Sequence, residues 1–159
     1  MTHAPSLAFA GALFAVAACG ATRDRGAPAA ETAAAAADPA FRVDFLATDK
    51  LSDALERARA EGKLVFVDFY TSWCLPCRLM DEDVFTDPAF GEFMNERFVS
   101  VKIDAEAGNG PELATLYGVR AYPTLLWVDP EGRVRARREG AAYQTELRAL
   151  SRAALGAVN

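Results

Sequence analysis

Apolar residues change their spacing several times along the second half of this chain, and each change predicts an element. A near-continuous apolar run over residues 63–70 is typical of a central strand that is covered on both faces. Before it, apolar residues at helical spacing over 49–60 predict a helix, with Thr48 as its cap and Gly62 at its end. Further apolar runs predict strands at 98–103, 124–128 and 133–138. A turn at 129–132 makes the last two strands an antiparallel hairpin.

Helical spacing fills most of the intervals between these strands. One helix is expected to run to about Asp83, and the pair Asp87 and Pro88 is a suitable cap and first residue for the next. A short helix over 111–117 and a final helix capped by Thr145 follow, and alternation over 41–45 predicts a short first strand. The order β-α-β-α-β-α-β-β-α indicates an α/β fold with a central mixed sheet, helices on both faces and a C-terminal antiparallel hairpin plus helix.

The first forty residues have a different character. An apolar segment over 7–18 is too short for a bilayer, which takes about 20 residues, but it suits the hydrophobic region of a secretory signal. Val16-Ala17-Ala18-Cys19 resembles the lipobox of bacterial lipoproteins, although no Lys or Arg precedes the apolar segment. We therefore expect a signal peptide over 1–18, lipidation of Cys19, a flexible alanine-rich tether over 19–40 and a folded domain over 41–159. The alternatives are an uncleaved anchor, or an ordinary signal with Cys19 incidental.

Composition and charge narrow the possible functions. The net charge of −5 argues against a nucleic-acid surface, which is normally basic. The single histidine, His3, lies in the segment that is expected to be removed, so histidine-based chemistry is excluded from the mature protein. Of the three cysteines, Cys74 and Cys77 form a pair and Cys19 stands alone.

The paired cysteines follow the apolar strand at the expected start of a helix. A thiol at a helix N-terminus lies beside unpaired backbone N–H groups and the positive end of the helix dipole, which favours the thiolate. The second cysteine, one turn along, is close enough to form a disulfide. The cysteine pair by itself is compatible with a metal site, a structural disulfide or a redox site. A zinc site needs about four ligands and haem attachment needs a histidine where Arg78 stands, so both are disfavoured.

Three features, in order along the chain, resemble the thioredoxin-fold family. Residues 73–78, Trp-Cys-Leu-Pro-Cys-Arg, are similar to its active-site motif, and Asp68 lies six residues earlier, where the family carries a buried acid. Residues 117–124 resemble its cis-proline loop. Within the family, the sequence after the cysteines, 80–88, is most similar to the C-terminal domain of the disulfide-interchange protein DsbD and its exported relatives.

The resemblance implies a role for each matched residue. Cys74 is the expected nucleophile, exposed at the helix end, and the more buried Cys77 is expected to resolve the mixed disulfide. Asp68 is expected to take the proton from Cys77. Pro123 is expected to be cis, so that the backbone of Tyr122 can pair with an extended substrate, and Trp73 is expected to offer an apolar contact surface or to pack locally.

Two further features, a lysine near the buried acid and a group of arginines, lie outside these motifs. Thioredoxins often carry a lysine near the buried acid; Ser100 is expected in that place here, with Lys102 two positions away. Four arginines over 133–138 form a basic patch, which we interpret as protection of an exposed sheet edge rather than a docking surface.

The predicted function is that of an exported thiol-disulfide oxidoreductase that reduces disulfides of periplasmic proteins. No cofactor is expected beyond the Cys74–Cys77 disulfide, and no metal. Expected partners are protein disulfides and a membrane electron donor of the DsbD or CcdA type, with membrane contact only through the lipid anchor and no nucleic acid. A copper-binding or copper-delivery module using the same cysteines is the alternative, because two thiolates can hold Cu(I).

Overall fold

A computed structural model of the protein describes residues 42–157. The predicted signal peptide, Cys19 and the predicted tether lie outside the described residues. So does His3.

The described part of the chain contains helices and strands in the order α1-β1-α2-α3-β2-α4-β3-β4-α5. The helices are α1 (Leu51–Glu61), α2 (Leu75–Asp83), α3 (Pro88–Arg97), α4 (Gly110–Leu116) and α5 (Gln144–Gly156). The strands are β1 (Leu64–Tyr70), β2 (Phe98–Asp104), β3 (Thr124–Val128) and β4 (Val134–Glu139). Between residues 42 and 157, no helix has both the length and the apolar character needed to cross a membrane.

The four strands form one mixed sheet in the order β2-β1-β3-β4. β1 is parallel to β2 and antiparallel to β3, and β4 pairs antiparallel with β3 at the edge. The predicted fold class, a mixed sheet that ends in an antiparallel hairpin and a helix, is therefore confirmed.

Both faces of β1 are buried, as its continuous apolar run predicts. Phe66 packs into one cluster with side chains of α2, α3 and α5, while Val65, Val67 and Phe69 belong to a second cluster with α1 and α4. Because successive strand residues point to opposite faces, Asp68 lies on the same face as Phe66, beneath α2. The strand thus presents its one acidic side chain to the helix that begins at the cysteines.

The predicted first strand does not form. Phe45 makes a single isolated bridge to Ser100, while the backbone N–H groups of Arg42 and Val43 both donate to the carbonyl of Phe85. Two of the segment's N–H groups therefore bind the α2–α3 connection, and its pairing with β2 is limited to the bridge at Ser100, where the N–H of Leu46 donates to the Ser100 carbonyl at 2.9 Å. Its apolar alternation was nevertheless informative, since Val43 and Phe45 are buried in the core.

Two of the three predicted helix caps are wrong. α1 begins two residues later than Thr48 predicts; the Thr48 hydroxyl accepts from the N–H of Lys50 and donates to Asp53 within the approach to the helix. Thr145 lies inside α5, which starts after Tyr143 without a side-chain cap. Asp87 caps α3 as predicted, because its carboxylate accepts from the Phe90 N–H at 2.6 Å.

Candidate active site

The cysteine pair lies where β1 turns into α2. The N–H of Cys74 donates to the Thr71 carbonyl at 3.1 Å, which closes the turn, and Cys74 occupies the N-cap position of α2. Its Sγ accepts a hydrogen bond from the Cys77 N–H at 3.2 Å. Cys74 and Cys77 are joined in a disulfide with their Cα atoms 5.3 Å apart. The predicted placement of the pair at a helix N-terminus is confirmed.

The two cysteines do not differ in burial as expected. Cys74 was expected to be exposed, yet both residues are only 2% exposed. In the disulfide-bonded form the first turn of α2 and the preceding turn enclose both, so total exposure does not distinguish nucleophile from resolving cysteine. The N-cap position of Cys74 does distinguish them, since it alone faces the open N-terminal end of the helix.

Asp68 is a buried acid, at 1% exposure. Its Oδ2 accepts a charge-assisted hydrogen bond from Lys102 Nζ at 2.7 Å. Its Oδ1 has no hydrogen-bond partner among residues 42–157. One oxygen of Asp68 is thus fixed by a cation, while the other is free to accept a proton.

The expectation that Ser100 replaces the family's lysine is wrong. The parallel register of β1 and β2 places Lys102, not Ser100, opposite Asp68, whereas Ser100 lies opposite Phe66. Because strand register follows from pairing and not from counting along one strand, the two-residue offset could not be seen in the sequence. The lysine is present and reaches the buried acid.

A second carboxylate, which the sequence reasoning missed, completes this arrangement. Asp81 lies on α2 and its Oδ1 contacts Lys102 Nζ at 2.5 Å. Asp68, Lys102 and Asp81 form what we call the carboxylate–lysine cluster. The available signal was the spacing of four residues between Cys77 and Asp81, which places both on the same face of α2.

Burial and mutual attraction shift the proton affinities in this cluster. Burial raises the pKa of the Asp81 carboxyl, and Lys102, shared between two carboxylates, offsets this only in part. Burial also lowers the pKa of Lys102, but Asp68 and Asp81 together outweigh it, so that the net pKa is raised. Lys102 therefore stays protonated. Its ammonium also lies 5.0 to 5.2 Å from the ring centroids of Phe45, Tyr70 and Phe85.

The predicted cis-proline loop lies beside the cysteine turn. The Tyr122–Pro123 peptide bond is cis, as the resemblance implied. Thr124, the next residue, pairs with Phe69 near the end of β1, which brings the loop to the turn that carries the cysteines. The rings of Trp73 and Tyr122 meet edge to face, with centroids 5.9 Å apart.

Trp73 is 64% exposed, so its ring is a surface feature beside the disulfide and not part of the core. Its Nε1 donates to a carboxylate oxygen of Glu106 at 3.0 Å, which fixes the indole from the side opposite Tyr122. Trp73 and Tyr122 thus form an exposed aromatic surface next to Cys74.

The arginines on β4 are engaged in ion pairs at the sheet edge. Arg133 and Arg135 bind the buried Asp129, and Arg138 binds Glu146. Arg137 donates to the carbonyls of Tyr117 and Gly118 at 2.7 and 2.8 Å, at the end of α4 and the start of the loop that leads to Pro123. These contacts anchor the hairpin and the cis-proline loop.

The fold and site together define a thioredoxin-fold protein with a Cys-x-x-Cys pair closed as a disulfide, a buried acid below it and a cis-proline beside it. Comparison with known families agrees. A thioredoxin-like domain family matches residues 51–155, and the chain belongs to that family.

Individual relatives point the same way. The chain is 34% identical over 84 residues to the thiol:disulfide interchange protein DsbD of Pseudomonas fluorescens, a match that covers 52% of this chain and 14% of that protein. The chain therefore spans a small fraction of the length of such relatives. A solution structure of a candidate disulphide-isomerase from Bacteroides thetaiotaomicron is 38% identical, with a TM-score of 0.63, covering 77% of this chain and 98% of the other.

A third similarity concerns the fold alone. The C-terminal domain of DsbD from Neisseria meningitidis, in its reduced form, is 24% identical with a TM-score of 0.54. The match covers 64% of this chain and 91% of that domain. Together with the sequence matches to DsbD proteins, this similarity of fold confirms the predicted resemblance to DsbD.

Proposed function

We propose that this protein is an exported thiol-disulfide oxidoreductase that reduces disulfides of extracytoplasmic proteins. The observation that carries the proposal is the position of the Cys74–Cys77 disulfide at the N-terminus of α2, with Cys74 as the N-cap. A purely structural disulfide has no need of a helix N-terminus, whereas an attacking thiolate is stabilised by one.

The reaction starts from the reduced pair. The Cys74 thiolate attacks one sulfur of the substrate disulfide, whose second sulfur leaves with the electron pair and takes up a proton. A mixed disulfide between Cys74 and the substrate results. Cys77 then loses its proton and attacks Cys74 Sγ, so that the remaining substrate sulfur leaves as a thiolate and is protonated. The substrate has gained two electrons and two protons, and the protein is left as the disulfide.

Asp68 is proposed to accept the proton that Cys77 loses. Its free Oδ1 lies on the face of β1 that α2 covers, and its other oxygen is fixed by Lys102. A base held beneath the helix can accept a proton from the second cysteine without occupying the surface where the substrate binds. Tyr122 and Pro123 are proposed to bind the substrate backbone as an added strand, and Trp73 to contact it from the side.

The location, substrates and electron source are further parts of the proposal. The apolar segment over 7–18 followed by Cys19 supports export and a lipid anchor, which would hold the domain on the outer side of a bacterial membrane. Similarity to proteins named as thiol:disulfide interchange proteins supports exchange chemistry at this pair, and reduction of the substrate is the direction that we propose. Two electrons would then be supplied by a membrane dithiol donor of the DsbD or CcdA type.

Trapping of the intermediate tests this mechanism. Cys77→Ser should accumulate a mixed disulfide with a protein substrate such as insulin, because the resolving thiol is absent. Cys74→Ser should form none and should lose insulin reduction by at least about 100-fold, since the nucleophile is gone. Full reduction by Cys74→Ser would contradict the assignment.

The copper-delivery alternative makes an opposite prediction for the same protein. Tight binding of Cu(I) by the reduced pair, together with no insulin reduction by the wild-type protein, would favour it. Within residues 42–157 no three His, Cys, Asp or Glu side chains are grouped as metal ligands. Any copper site in this domain would therefore rest on the two thiolates.

A further inference from the structure

A cavity opens on the surface beside the disulfide, between α2 and the segment that follows β4. One wall is made by Pro76 and by the side chains that follow on α2. The other wall is the segment between β4 and α5. Its lining residues are Pro76, Leu79, Met80, Asp83, Val84, Ala141, Ala142 and Tyr143.

Both walls continue directly from the redox site. Pro76 lies between the two cysteines, and Gly140, the residue before the second wall, donates its N–H to the carbonyl of Pro123 at 2.7 Å. The two walls are also joined by a hydrogen bond from the side-chain amide of Gln144 to the Asp83 carbonyl at 2.8 Å. A chain that lies across the disulfide and the cis-proline loop thus reaches the mouth of this cavity without crossing a gap.

The size of the cavity decides what it can hold. Its volume is about 270 Å³. Sites for drug-sized ligands and cofactors usually measure about 300–1,000 Å³ and enclose most of the ligand, so this cavity is small for a cofactor. Its volume instead suits one bulky side chain, and its mouth is formed by exposed apolar groups, Leu79 at 48% and Tyr143 at 77% exposure.

The charge at the cavity is negative. Arg138 bonds the Ala141 carbonyl but is paired with Glu146, so its charge is compensated. The exposed Asp83 carboxylate makes no ion pair with any residue in 42–157. An apolar side chain followed or preceded by Lys or Arg would therefore complement both the walls and the rim.

We propose that this cavity is a specificity pocket for protein substrates, and that it binds a bulky apolar side chain near the cysteine under attack, with a basic residue beside it. The proposal rests on the proposed function. α2 rises about 1.5 Å per residue and an extended substrate about 3.3 Å per residue. Beyond Cys77, the α2 residues that line the cavity run from Leu79 to Val84. For a substrate that extends along α2, the bound side chain therefore lies about one to three residues from the substrate cysteine.

Single-turnover kinetics tests the pocket without knowledge of the natural reductant. The fully reduced chain is mixed with disulfide-linked peptide dimers, and the second-order rate constant of its oxidation is measured. Two peptides carry Phe-Lys two residues before or after the cysteine, and matched peptides carry Ser-Lys or Phe-Glu instead. The small neutral disulfide bis(2-hydroxyethyl) disulfide is the reference, because it has no bulky apolar group to place in the pocket and no charge to interact with Asp83.

We expect one of the two Phe-Lys peptides to react about tenfold faster than its Ser-Lys match. Leu79→Ala and Tyr143→Ala should each remove most of that preference, and Asp83→Asn should reduce the Lys over Glu preference by about two- to fivefold. None should change the rate with the small disulfide. Leu116→Ala, at another exposed leucine that lies on α4 (74% exposed, against 48% for Leu79), is the control and should retain the full preference.

The possible failures are distinguishable. Equal rates for Phe-Lys and Ser-Lys peptides, or a preference that survives both Leu79→Ala and Tyr143→Ala, would overturn the pocket and leave the oxidoreductase function intact. Slower reaction of those variants with the small disulfide as well would also overturn it, since the defect would then lie in the cysteines. Failure of every peptide to oxidise the wild-type protein would overturn the proposed function, and the pocket with it.

Discussion

Lys102 supplies the positive charge that pairs with both carboxylates in the interior of the site. Its ammonium is buried between Asp68 and Asp81 and ringed by three aromatic side chains, so that two negative charges and one positive charge lie beneath the disulfide. Buried carboxylates are costly unless they are paired, and one lysine here serves two of them. The cluster therefore places two carboxyl groups against a single ammonium on the face of the sheet that α2 covers.

Replacing Lys102 should therefore lower the stability of the protein. Lys102→Met retains much of the side-chain volume but leaves both carboxylates without their cation, and we expect it to lower the free energy of unfolding by about 3–5 kcal/mol at pH 7. Asp68→Asn added to Lys102→Met should recover part of this loss, because one buried charge is then removed. Denaturant unfolding of the single and double variants measures the effect, and equal stability of Lys102→Met and wild type would contradict it.

The stabilising contribution of Lys102 should depend on pH, and its direction follows from the shift in its pKa. The pKa of Lys102 is raised in the folded protein, so its stabilising contribution is complete below the unfolded value of about 10.4. That contribution should decline as the pH rises through the higher folded pKa. The stability difference between wild type and Lys102→Met should thus be flat from pH 7 to 10 and shrink above that range.

At the scale of elements, the hairpin of β3 and β4 is organised by one carboxylate. Asp129 is buried and accepts from the backbone N–H groups of Glu131 and Arg133, as well as from the side chains of Arg133 and Arg135. Burial alone would raise its pKa, but the hydrogen bonds from Arg133 and Arg135 outweigh it and lower the pKa to about 2. Asp129 therefore fixes both the turn and the start of the edge strand.

Asp129→Asn should destabilise the protein by about 1–2 kcal/mol at neutral pH, after allowance for the solvent around the exposed Arg133. Because the folded pKa is lowered, the contribution of Asp129 is present above about pH 4 and lost as the pH falls through about 2. The difference in unfolding free energy between wild type and Asp129→Asn should narrow over that interval. Glu131→Gln removes an exposed ion pair and should change stability by less than about 0.5 kcal/mol, which makes it the matched control.

At the scale of the whole described molecule, the short segment before α1 belongs to the core. Val43 is buried, and the ring of Phe45 packs against Phe85 at a centroid distance of 5.1 Å and against Phe66 at 6.4 Å. The segment joins the α2–α3 connection through hydrogen bonds to the Phe85 carbonyl. The segment therefore packs against the residues that follow α2, the helix that begins at the cysteines.

Truncation tests this contribution. A chain that starts at residue 47 loses the buried side chains of Val43 and Phe45, and should be less stable by about 3–6 kcal/mol than a chain that starts at residue 41. The two fragments should be compared by thermal and denaturant unfolding. Similar stabilities would mean that the segment contributes no net packing.

The sequence by itself determined the elements and the chemistry of the site. Apolar spacing and turn residues located all four strands of the sheet and all five helices that the structure describes, because these depend on local backbone preferences and on which residues need burial, although two of the three predicted helix caps were wrong. The spacing of Cys74 and Cys77 after a buried strand identified the pair that the structure joins in a disulfide at the start of α2. The resemblance added the acid at Asp68 and the cis bond at Pro123.

Only the tertiary structure decided how residues distant in the chain meet. The register of β1 against β2 put Lys102, rather than Ser100, at Asp68, and the packing of α2 on the sheet brought Asp81 to the same lysine. The burial of Cys74 and the cavity between α2 and Tyr143 also arise from packing between separate elements. Strand register and helix packing depend on many contacts between residues that are distant in the chain. They therefore cannot be predicted from the local sequence pattern of one strand or helix.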